Sequence, residues 1–191
     1  IICNHVTVMN KHLLKKLILI IIFLSFLGFT TTMAMNTFNK NKKNNFLKQN
    51  GNLIAELEFR DSQAGFVGIS GIIWTILPDG TSRANRFVNN TVSSSFKTCR
   101  LEKQDLASIA NALSKGNFTE LPNEIPSQQT INPHRLTIRL GEQSSTLQLQ
   151  AGESISNALK MQQNQQETPR RRFLIIAWEI NQIIRKHCGN Y

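Results

Sequence analysis

The spacing of apolar residues changes period along this chain, and that change restricts the fold more than any motif in it. Leu53, Ala55, Leu57 and Phe59 alternate with Ile54, Glu56, Glu58 and Arg60, a period of two that predicts a half-buried strand. Further on, Leu106, Ile109, Ala110 and Leu113 fall on one helical face, and Phe173, Ile176, Ala177, Ile180, Ile183 and Ile184 repeat that pattern. An apolar strand face and an apolar helix stripe must each be covered, and they cover one another most economically as helices lying on a sheet.

The punctuation between these stretches sets the order of elements. A glycine-containing turn at residues 64–68 separates the first strand from a second at 69–77. Pro78-Asp79-Gly80 then turns the chain, Pro fixing φ and Gly admitting positive φ, into a third strand at 81–88. A further short strand is expected at 92–97. Glu102 and Asp105 suit the first turn of a helix at 102–115, and Gly116 suits its C-cap. Leu136, Ile138 and Leu140 alternate before Gly141-Glu142, and Leu147 and Leu149 alternate after it, which predicts a second hairpin. The Gln-rich residues 161–167 read as a mobile loop, and Pro169 stands where a closing helix can start. The expected fold is α+β, an antiparallel sheet of four to six strands with two helices packed on one face. A chain of 191 residues suits one such core.

That domain is expected at 53–189. Before it, Met9 is the expected initiator, followed by basic residues 11–16, an apolar stretch at 17–29 and small or polar residues at 30–34. This is the tripartite order of a secretory signal, and the apolar stretch, 13 residues long, falls short of the roughly 20 that span a bilayer. Cleavage after Ala34 would make the protein secreted or periplasmic; an uncleaved anchor is the alternative. Residues 35–52 mix Asn, Lys, Thr and Gln without a period and read as a flexible basic linker.

Dividing the charge by region removes an apparent nucleic-acid signal. The whole chain carries +10, but from Gly51 onward there are 15 basic and 12 acidic side chains. No basic stripe interleaved with aromatics remains, and the single cluster, Arg170-Arg171-Arg172, reads as a solvated helix start. Nucleic acid is not an expected partner.

Motifs for chemistry are missing. There is no His-Glu-x-x-His, no nucleophile elbow, no phosphate-binding loop and no Cys-x-x-Cys. Gly65, Gly68 and Gly71 suit turns, Glu56 and Glu58 a solvated strand face, and Ser93, Ser94 and Ser95 a polar surface. His134, His187 and Cys188 lack the spacing of a zinc site. The expectation is a non-enzymatic domain without metal or cofactor. Cys99 and Cys188 form an even pair in an exported domain, where a disulfide is expected; two free buried thiols are the alternative. Antiparallel packing of the two helices would bring the start of one, near Cys99, to the end of the other, near Cys188.

The stretch from Arg60 through Ser62-Gln63-Ala64-Gly65-Phe66-Val67-Gly68 to Ile69 resembles the opening of emfourin-like proteins, small bacterial inhibitors of thermolysin-family metalloproteases. Residues 101–113 followed by Asn117-Phe118-Thr119-Glu120-Leu121-Pro122 are similar to that family's helix and its exit, and 134–141 to its later hairpin. The chain departs from the family at Gln63, where a glycine is usual, and at 154–169, which looks inserted. The resemblance implies that a loop on a rigid sheet blocks a protease cleft. Ser62, Gln63, Gly65, Phe66 and Gly68 are then the partner-binding residues, with Phe66 either an interface anchor or folded back onto the core. The alternative is a cell-envelope domain that binds another protein or a small apolar ligand.

Overall fold

The computed structural model describes residues 45–66, 68–127, 130–162 and 167–189. The expected signal at 1–34 and most of the linker lie outside the described residues, as do residues 163–166 of the Gln-rich stretch.

Seven strands form one sheet: β1 (Leu57–Gly65), β2 (Gly68–Ile76), β3 (Thr81–Val88), β4 (Thr91–Arg100), β5 (Glu124–Ile125), β6 (His134–Leu140) and β7 (Gln143–Leu149). Their order across it is β4-β3-β2-β1-β6-β7-β5. Every pairing is antiparallel except that of β5 with β7. Three α-helices follow the expected rhythm, α1 (Lys103–Lys115), α2 (Ile155–Met161) and α3 (Pro169–Cys188). The class is α+β as expected, but the described residues hold seven strands and three α-helices. Two elements account for the difference: β5 is only two residues long, and α2 lies in the stretch that reads as an insertion.

Register places the apolar rows on one face. Phe59 pairs with Trp74 on one side and Ile138 on the other, and Leu57 with Ile76 and Leu140. These residues share a single buried cluster with Leu106, Ile109 and Leu113 of α1 and with Phe173, Ile176, Ala177 and Ile180 of α3. Fully burying side chains of this size contributes about 1.5–3 kcal/mol each, so the helices are held mainly by this stripe. At the start of α1, Asp105 Oδ2 accepts from the Glu102 N–H at 2.9 Å, and at the start of α3, Thr168 Oγ1 accepts from the Arg171 N–H at 3.2 Å. Each bond satisfies a donor that the first helical turn leaves free.

The helices run antiparallel. Asp105 at the start of α1 lies 3.0 Å from His187 at the end of α3, while Gly116, just past α1, abuts Ile176 and Arg172 of α3. Cys99 on β4 and Cys188 at the end of α3 accordingly come within disulfide-bonding distance, their Cα atoms 5.5 Å apart.

Packed structure begins earlier than Leu53. Phe46 is buried in the core, Leu47 bridges to Leu53, and the Ile54 N–H donates to the Phe46 carbonyl at 3.1 Å. The start of β1 shifts the other way, to Leu57, because the Leu53 N–H is taken by the Pro78 carbonyl instead of by a ladder.

Candidate functional site

The expected partner-binding turn closes the β1–β2 hairpin. Gly65 pairs with Gly68, leaving two residues at the tip, and Gly68 holds φ at 102°, a conformation that glycine adopts without steric cost. A Cβ at Gly68 would also run into the Asn89 side chain. Phe66 stands at this tip with 110% relative exposure, so it is not folded onto the core. Ser62 is different: it is 2% exposed and its hydroxyl donates to the Arg135 carbonyl at 3.0 Å, engaged within the domain. Gln63 donates its amide to the Asn132 carbonyl. Val67 lies outside the described residues.

Two other segments meet the hairpin at the same end of the sheet. The β3–β4 turn is stitched to β2 through Asn89, whose N–H donates to the Ile69 carbonyl at 2.6 Å and whose Oδ1 accepts from the Ile69 N–H at 3.0 Å. Residues 131–133 are stitched to β1, the Pro133 carbonyl accepting from the Ala64 N–H at 3.2 Å. Asn89 and Asn132 both hold positive φ, at 51° and 53°, which asparagine tolerates better than most residues. Around this end Phe66, Ile69, Val88, Val92 and Ile131 are all exposed. Residues 62–78, 87–96 and 125–133 contain no charged side chain. The result is an end of the sheet rich in exposed apolar side chains and poor in charged ones.

Beneath it, on the helix side, a cleft of about 340 Å³ is lined by Asp61, Gln63, His134, Glu153, Trp178 and Arg185 among others. His134 Nε2 lies 2.7 Å from Asp61 Oδ1, and Nδ1 lies 2.7 Å from the Glu153 carbonyl. Burial opposes a charge on this ring. The Asp61 hydrogen bond and carboxylate charge, aided by Glu153, outweigh burial and raise the His134 pKa above its ordinary value. Both ring nitrogens are thus engaged by partners within the domain.

The other polar groups weighed in the sequence have local partners. Glu58 lies 3.6 Å from Arg60 and 2.8 Å from Arg139. Ser93 and Ser95 donate to the carbonyls of Arg86 and Ala84. Arg170 lies 4.0 Å from Glu153, and Arg172 lies 3.5 Å from Glu120. Among the described residues no three His, Cys, Asp or Glu side chains converge as a metal site, and no helix is long and apolar enough to cross a membrane. The sequence singled out the hairpin turn but not its two neighbours, because their convergence depends on strand order. No protein-family model matches the chain, and no curated protein matches it.

Proposed function

We propose that this domain is a non-enzymatic protein-binding module that presents the β1–β2 turn, with Phe66 as the anchor, to an apolar recess on a partner. The observation that carries this reading is the complete exposure of Phe66 on a turn braced by two neighbouring segments. Exposing a phenylalanine forgoes burial worth about 1.5–3 kcal/mol, and aromatics that fill a partner's pocket often dominate an interface. The scarcity of charge at this end fits a partner recognised by shape and apolar contact. The emfourin-like resemblance supplies the partner class, an exported thermolysin-like metalloprotease, with the turn entering its cleft.

The test is to incubate the domain, beginning at Met35, with such a protease and follow peptide hydrolysis. Inhibition by the wild type, weakened about 30-fold by Phe66→Ala, supports the proposal. Unchanged hydrolysis at micromolar domain removes the protease as partner. The envelope-domain alternative has one observation in its favour. A small apolar recess of about 200 Å³, lined by Ala64, Ile69, Pro133, Arg135 and Gln148, adjoins the turn. A fluorescent apolar probe bound there with its signal unaltered by Phe66→Ala would favour that second reading.

A further inference from the structure

The contacts of His134 suit the doubly protonated ring best. The Glu153 carbonyl can only accept a hydrogen bond, and so can an ionised Asp61 carboxylate. Each lies 2.7 Å from a different ring nitrogen, so a ring that donates from both satisfies both acceptors. A neutral imidazole has one N–H and would leave one acceptor facing a lone pair. We propose that His134 is a proton-dependent clasp: as imidazolium it ties β1, the start of β6 and the β7–α2 turn together beneath the charge-poor end of the sheet.

The geometry gives the clasp its reach. Asp61 lies on β1, four residues before Gly65, and His134 directly follows Asn132 and Pro133, whose carbonyls hold Gln63 and Ala64. Losing the ring proton therefore loosens the segment at 131–133, which braces the turn carrying Phe66. The effect on partner affinity rests on the protein-binding reading, whereas the titration of the ring does not. The charged groups around the ring are few. Asp61 faces it from β1, Glu153 from the β7–α2 turn and Arg185 lines the same cleft from α3. Glu153 Oε2 accepts from the Gln150 N–H at 3.0 Å and lies 4.0 Å from Arg170, and the charge of this carboxylate, like that of Asp61, favours the protonated ring. Asp61 is the carboxylate in direct contact with the ring.

Long-range ¹H–¹⁵N spectra of the full chain across pH 5 to 9 test this directly, with His134→Gln used to assign its ring among the four histidines. His134 is expected to keep both N–H protons above about pH 6.5, the value for a free histidine. Asp61→Asn should move its titration down toward or below that value. As the ring deprotonates, the Gln63 side-chain amide and the Ala64 amide should shift along the same curve. A His134 ring that titrates at or below the ordinary value in the wild type, or amides that ignore its titration, overturns the clasp. The wild-type measurements decide even if Asp61→Asn does not fold. No partner is needed, so failure here is separate from failure of protease inhibition.

Discussion

Breaking the Cys99–Cys188 link should lower stability by an amount set chiefly by the unfolded chain. The two residues are 89 apart in sequence. A cross-link closing a loop of that size removes roughly 15 cal/mol/K of denatured-state entropy, about 4–5 kcal/mol at 25 °C before any native strain is subtracted. Few native contacts are lost with the bond. Cys188 is 5% exposed at the end of α3, and the same end is held by the buried Ile183 and Ile184 and by the His187–Asp105 contact at 3.0 Å. The helix end should therefore stay docked when the bond is absent. A small domain is commonly stable by about 5–15 kcal/mol, so the reduced protein is expected to remain folded but unfold about 10–15 °C lower. Urea titration with and without dithiothreitol, paired with non-reducing intact mass, checks this. Two free thiols in the oxidised preparation would refute the pairing. A difference below about 1 kcal/mol would refute the entropy reasoning.

Other consequences follow from particular contacts. Gly116→Ala should destabilise by about 1–3 kcal/mol in chemical denaturation, because its Cβ would press on Ile176 and the Arg172 carbonyl where α1 meets α3. For His134 the sign is fixed by its raised pKa: the stability it adds is fully present below the unfolded value near 6.5 and is lost as pH rises through the folded value. The thermal midpoint should then be higher at pH 6 than at pH 8.5 by more in the wild type than in His134→Gln. Phe66→Ala should leave the midpoint within about a degree of wild type, since surface changes away from special features have small effects. Phe118→Ala, at a residue with 0% exposure, should cost about 3–5 kcal/mol.

What the sequence revealed, and what it hid, divides according to whether the determining interactions are local. The alternation of Leu57 with Phe59 and the helical spacing of Leu106, Ile109 and Leu113 are local patterns, and both faces were legible from them. Where an element has little apolar signal of its own, neighbours decide. β4 has serine at three consecutive positions, yet it pairs along β3 through two register shifts as an edge of the sheet. Phe46 looked stranded in a polar linker because nothing within a few residues shows that the 0%-exposed Leu53 will bridge to its neighbour Leu47. The candidate site follows the same division. Gly65 and Gly68 announced a turn, but whether Phe66 faces solvent or core depended on the tightness of the Gly65–Gly68 pairing. His134 drew notice in the sequence only as a metal-ligand possibility; its partner Asp61 is 73 residues away, and only the β1–β6 register, pairing Gln63 with His134, brings them together. The charge-free runs were visible throughout. Three such runs on separate strands would mean little, but the order β3-β2-β1-β6 delivers their turns to one end, where sparse charge becomes a property of a surface instead of a segment. A partner recognised there must be read from strand order and exposure together, because no single run of residues contains the surface.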